Sequence, residues 1–133
     1  GDSRIYQIRT NVGIVYRSKD HSLVQRWVDA GILTLEEARN HPQSNIITQV
    51  LQPDGLKTIH PEVVTLHIED GDYVFLCTDG ITESIDDDKL VNIVGSLAPD
   101  EEKMKQIKQI CSEQSRDNYS AYLIPLIIKN SDI

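Results

Sequence analysis

The sequence is poor in large aromatic and sulfur-bearing core residues: it has one Trp, one Phe and one Met in 133 positions. Its core must therefore rest on Ile, Val and Leu. Basic residues are also scarce, with 13 Lys and Arg against 21 Asp and Glu, a formal net charge of -8. Proteins hold a phosphate backbone through Lys and Arg, so nucleic acid is excluded as an expected partner. An anionic membrane surface is excluded by the same sign of charge. No run reaches the length of a transmembrane helix. The opening GDSRIYQIRT lacks the basic-then-apolar order of a signal peptide and has no initiator Met, so it reads as trimmed. Only two cysteines are present. Cys77 lies in a strand-like run and Cys111 on a helix-like face, which favours buried, reduced thiols and a cytoplasmic setting.

The length fits one small domain. Residues 4–9 and 12–17 alternate polar and apolar around Thr10-Asn11, the pattern of a β-hairpin. Residues 20–51 change character. Ser22 with Gln25 reads as a capping box opening a helix through Leu23, Val24, Trp27 and Val28, which Gly31 ends. Thr34 with Glu37 reads as a second box, opening a short helix that stops before His41-Pro42. Strand patterns return at 64–68 and 73–78, joined by a turn at Asp70-Gly71-Asp72. Two amphipathic helices follow, one after Asp86-Asp87-Asp88 and one over 99–114, before a last apolar strand at 119–129. The layout is α+β, with antiparallel connections where links are short.

The run Tyr73-Val74-Phe75-Leu76-Cys77 ends in Thr78-Asp79-Gly80. Aspartate is disfavoured in strands and costly to bury unpaired. An Asp-Gly turn is one explanation; a metal ligand on a rigid strand end is the other. Asp117 stands in the same way at the start of the last strand. If the two strands are antiparallel neighbours, both carboxylates reach one end of the sheet. Hard oxygen donors in such a place suit Mg²⁺ or Mn²⁺.

Five segments carry a resemblance: GDSRIY at 1–6, DHSLVQRWVDAGILTLEEARNHP at 20–42, NIITQVL at 45–51, DYVFLCTDGITE at 72–83 and RDNYSAYLI at 116–124. In that order they resemble the C-terminal half of a PPM/PP2C-type, metal-dependent serine/threonine protein phosphatase. The resemblance implies part of an α-β-β-α sandwich, antiparallel sheets flanked by helices, with a small helical flap at 20–51. It implies Asp79 and Asp117 as ligands of Mg²⁺ or Mn²⁺, and Asp2 beside an additional ion. Gly80, Glu83 and Asn118 would support the ligands. It implies hydrolysis of phosphoserine or phosphothreonine in proteins by a metal-activated water, without a phosphoenzyme.

The sequence also departs from that family. The DGMGG-type segment of the family's first half is absent: Asp54-Gly55, Asp70-Gly71 and Asp79-Gly80 are the only Asp-Gly pairs, and none continues as MGG. Glu83 replaces a second aspartate, and Tyr119-Ser120 replaces Ile-Thr. The chain alone is therefore expected to be inactive. Its expected partners are a phosphoprotein substrate and either the missing N-terminal half or a second copy. A pseudo-phosphatase or truncated protein-binding module is the competing reading. Asp20-His21-Ser22 has the letters of a catalytic triad, but adjacent residues cannot converge on one hydrogen-bond line, so Ser22 reads as a cap. His41, His60 and His67 lack ligand spacing, and Asp86-Asp87-Asp88 reads as a solvated helix start.

Overall fold

The computed structural model describes residues 1–52 and 60–130; Asp54-Gly55 lies outside them. The chain divides into two compact units. One contains residues 1–2 and the described part of 19–65, and the other residues 3–18 and the described part of 66–133.

The first unit contains the whole of the 20–51 segment and none of the four sheet strands. Its helices are α1 (Leu23–Asp29) and α2 (Leu35–Arg39). Ser22 caps α1, its hydroxyl accepting from the Gln25 N–H at 3.2 Å. The reciprocal half of that box is not made, because the Gln25 amide donates to Asp29 Oδ1 at 3.1 Å instead. Thr34 and Glu37 do form a complete capping box on α2. Such a box satisfies two N–H groups that a helix start otherwise leaves open. Val24 and Ala38 are the buried apolar residues of the two helices. Trp27 meets His41 edge-on, with ring centroids 5.2 Å apart. The chain then returns beside the start of α1: Leu23 N–H donates to Ile46 O at 3.0 Å, and Thr48 N–H to His21 O at 2.7 Å.

The second unit is built on one antiparallel sheet. Strands β1 (Arg4–Arg9) and β2 (Gly13–Arg17) form the hairpin, with a bulge between Gln7 and Ile8. Its turn places Asn11 at φ 63° and Gly13 at φ 113°, conformations that Asn tolerates and Gly adopts freely. Strand β3 (Tyr73–Cys77) lies between β1 and β4 (Ala121–Pro125), giving the order β2-β1-β3-β4. Tyr6, Phe75 and Leu123 share one cross-strand row on the inner face, and Ile5, Leu76 and Tyr122 share one on the outer face. The helical turn α3 (Asp79–Thr82) follows β3, and α4 (Asp87–Val94) and α5 (Asp100–Gln114) complete the unit. Ile81, Leu90, Val94, Ile107 and Cys111 join Tyr6, Ile8 and Phe75 in one buried cluster. Burying each such side chain contributes roughly 1.5–3 kcal/mol. Both cysteines are free and buried. No described helix is long and apolar enough to cross a membrane.

Three expectations change. The alternating segment 64–68 joins no ladder among the described residues; instead the Gln7 side-chain amide donates to His67 O at 2.8 Å. A strand needs a partner edge, and alternation alone does not provide one. The last strand is shorter than 119–129. The face of α5 also includes Lys103, only 3% exposed, which the apolar pattern passed over. Its ammonium lies 4.4 Å from the Tyr73 ring centroid and 3.4 Å from Asp100 Oδ1, so the charge is paired where it is buried.

Candidate metal centre

β3 and β4 pair from Tyr73–Pro125 to Cys77–Ala121, and one further step joins Thr78 to Ser120. There Thr78 N–H donates to Ser120 O at 3.0 Å, and Ser120 N–H to Thr78 Oγ1 at 3.1 Å. The residues just beyond this step therefore emerge at one end of the sheet. On the β3 side the chain does not simply turn. Asp79 opens α3, and its carbonyl accepts from Glu83 N–H at 2.9 Å and Thr82 Oγ1 at 3.1 Å. One helical turn thus brings Glu83 round to the face that carries Asp79.

On the β4 side, Asp117 precedes the strand, and Asn118 N–H donates to Asp117 Oδ1 at 2.7 Å. Gly80 is buried against this loop: a Cβ there would collide with the carbonyl oxygen of Asn118. The sequence marks Gly80 as a turn former; the structure shows that it is needed for close approach. Carboxylate oxygens of Asp79, Glu83 and Asp117 all lie within 4.8 Å of one another. Asp79 is half-buried, whereas Glu83 and Asp117 are exposed.

This donor set fits a hard divalent cation. Oxygen ligands on opposite sides of Mg²⁺ lie roughly 4 Å apart, and the ion keeps several waters beside a few carboxylates. Three close carboxylates repel one another, and a dication at their centre turns that repulsion into attraction. Asp2 is half-buried and belongs to the first unit, so the described cluster comprises the other three carboxylates. Glu83, expected only in support, contributes its own oxygen to the group. Gly80 and Asn118 contribute backbone contacts.

Two polar constellations elsewhere in this unit were not anticipated as such. Asp72, 1% exposed, accepts from Arg9 Nε at 2.9 Å, Arg9 Nη2 at 3.0 Å, Gln7 Nε2 at 2.9 Å and Glu69 N–H at 2.9 Å. The Arg9 guanidinium, with help from Glu69 N–H and Gln7, holds its carboxyl far below the usual carboxylate range despite burial. Asp87, in the triple aspartate, is not merely solvated. It accepts from Arg17 Nη1 at 2.6 Å and from the Tyr6 hydroxyl at 3.0 Å. Asp86 is the cap of α4, accepting from Lys89 N–H at 2.8 Å. Ser22 is likewise a helix cap, His60 and His67 are exposed, and His41 packs on Trp27.

No protein-family model matches the chain. Individual proteins do. Protein phosphatase PhpP of Streptococcus pneumoniae is 39% identical over 130 residues, covering 95% of this chain and 50% of that protein. The crystal structure of serine/threonine phosphatase Stp1 from Staphylococcus aureus superposes with a TM-score of 0.82 at 33% identity, over 95% of this chain and 49% of that one. The chain is a relative of the PP2C-type phosphatases. A PstP catalytic domain solved in complex with two manganese ions has the same fold, with a TM-score of 0.67 at 25% identity over 93% of this chain and 51% of that one. The chain thus spans about half the length of the PP2C-type proteins it matches. Its antiparallel sheet with flanking helices has the architecture of those PP2C-type neighbours.

Proposed function

We propose that this chain is the C-terminal portion of a metal-dependent protein phosphatase domain and supplies part of its cation site. The convergence of Asp79, Glu83 and Asp117 at one sheet end carries the reading. Asp79 and Asp117 hold Mg²⁺ or Mn²⁺, Glu83 adds a ligand directly or through water, and Asp2 serves a further ion. When bound, such an ion activates a water for attack on phosphorus and offsets the charge that develops. The residues of this chain fix the carboxylates on a rigid strand end and keep that end open to a phosphoserine or phosphothreonine of a protein substrate. The segment 20–51 is the domain's flap, and the setting is cytoplasmic.

The other half of the site belongs to the length that the relatives have and this chain does not match. The outer sheet face supports this division. Ile5, Tyr122 and Ile124 are 42%, 68% and 40% exposed there, beside half-buried Val74 and Leu76. An apolar sheet face of this kind needs cover. The N-terminal half provides it in the complete domain, and a second copy of the chain provides it when the chain is alone.

The test compares the chain with a longer protein that includes an N-terminal half. Mn²⁺-dependent hydrolysis of a phosphopeptide by the longer protein, absent from the chain alone, supports the reading. Full activity from the chain alone overturns the division of the site between two halves, and none from the longer protein with Mn²⁺ bound overturns the reading in favour of a binding module. Light scattering that shows a monomer of the isolated chain would refute the self-association.

A further inference from the structure

We propose that Ser115 is a positioning residue for this cation site, its hydroxyl setting the gap between Asp79 and Asp117; the proposal rests on the metal reading above. Ser115 ends α5, where its N–H donates to Cys111 O at 2.9 Å and its backbone turns extended. The helix end thereby delivers the hydroxyl between two chain segments distant in sequence. Ser115 Oγ lies 2.9 Å from Gly80 O and 3.0 Å from Asp117 O, so its single proton is shared between the two carbonyls. The Asp117 N–H approaches the same oxygen at 3.4 Å, a weak contact.

Gly80 follows one carboxylate-bearing residue, and Asp117 is the other. The hydroxyl therefore ties together the main chains that carry the two ligands. It complements the packing of Gly80 against Asn118. That contact is a wall, which stops the loop from coming closer. The Ser115 bonds are a tether, which stops it from moving away. The ladder step at Thr78 and Ser120 fixes the strands but stops three residues short of Asp117. Without the tether, the Asp117 carboxylate keeps its chemistry and loses its placement.

The test is Mn²⁺ titration of the longer protein that includes an N-terminal half, followed by the paramagnetic resonance signal of free Mn²⁺, with melting temperature recorded in parallel; no phosphatase substrate is involved. Ser115→Ala is expected to bind Mn²⁺ about tenfold more weakly, as loss of a group that orients a metal ligand does. Its melting temperature without metal should stay within a few degrees of the parent. Ser115→Thr, which keeps the hydroxyl, should restore affinity to within about threefold. Parent-like affinity in Ser115→Ala, while Asp117→Asn loses binding, overturns the positioning role and leaves the metal reading standing. An affinity loss that follows the melting temperature and is not rescued by Thr shows a merely structural residue and also overturns the role. No Mn²⁺ binding by the parent, or parent-like binding by Asp117→Asn, overturns the metal reading and the role of Ser115 with it.

Discussion

Strand β3 has an aspartate beyond each end, and the two meet opposite surroundings. Asp72, just before the strand, is buried among donors: two nitrogens of Arg9, one of Gln7 and the N–H of Glu69. Asp79, just after it, converges with the carboxylates of Glu83 and Asp117. Both residues border glycine near a strand end, and they differ in these neighbouring groups: donors round Asp72, two further carboxylates beside Asp79. An anion surrounded by cations and N–H groups stabilises the fold by itself. An anion among anions opposes folding slightly and favours whatever dication binds there. The comparison separates a structural carboxylate from one proposed to hold a metal, and it can be broken by substitution.

The largest effect is expected at the first of these sites. Asp72→Asn leaves Arg9 beside a neutral amide in a buried setting and should cost about 3 kcal/mol of stability in urea denaturation. Its Mn²⁺ affinity should match the parent. The folded Asp72 carboxyl titrates well below the unfolded one. Its stabilisation is therefore complete above about pH 4, near the unfolded value, and is lost as pH falls from there toward the folded value. The acid limb of stability against pH should flatten in Asp72→Asn. A variant as stable as the parent at pH 7, with the same acid limb, would mean the network is ornamental.

Asp117→Asn should reverse every sign. Mn²⁺ binding should weaken roughly a hundredfold, about 2.7 kcal/mol. The metal-free protein should melt no lower than the parent, because one charge leaves a like-charged group. Loss of stability without loss of metal affinity would merge the two aspartates into one class and end the distinction.

How far the sequence could be read follows from the same pair. The convergence of Asp79 and Asp117 was legible because both sit at the ends of apolar runs that periodicity assigns to strands, and strand adjacency brings them together; on the residues alone a turn served as well, and only the family resemblance marked them as metal ligands. The hairpin and both amphipathic helices were legible for the same reason, local pattern. The role of Asp72 was not, since a turn reading accounts for Asp70-Gly71-Asp72 equally well and its partners Gln7 and Arg9 lie over sixty residues away. The nearness of the Glu83 carboxylate to those of Asp79 and Asp117 was not legible, because it depends on a helical turn that begins at Asp79 and that no alternation signals. The segment 64–68 shows the converse, a strand pattern whose backbone is held by a side chain.

A third substitution sits on the boundary between the two classes. Gly80→Ala forces the backbone of the Asn118 loop away from α3. Overpacking of this kind costs about 2 kcal/mol, and the displaced loop should weaken Mn²⁺ binding together with stability. Circular dichroism melts and Mn²⁺ titration on the same sample decide it. Correlated losses are expected here, in contrast to Asp72→Asn and Asp117→Asn, where only one quantity moves.

The smallest expected effect concerns Tyr6, whose hydroxyl donates to Asp87 Oδ1 at 3.0 Å and accepts from Arg4 Nη1 at 3.2 Å. It links the sheet to the start of α4 as Arg9 and Asp72 link β1 to the turn, but with a neutral group. Tyr6→Phe keeps the ring that packs against Phe75, with centroids 6.3 Å apart, and Asp87 retains Arg17. The loss should therefore be about 1 kcal/mol, that of one hydrogen bond with a compensated partner. Burial pushes the Tyr6 hydroxyl up to about 12. Its folded value lies above the unfolded one near 10, so its stabilisation is complete below about pH 10 and is lost as pH rises toward 12. The alkaline limb of stability should thus be shallower in Tyr6→Phe, while the acid limb that Asp72 governs stays as it was. A variant that alters the acid limb instead would show that the two networks are coupled through the sheet.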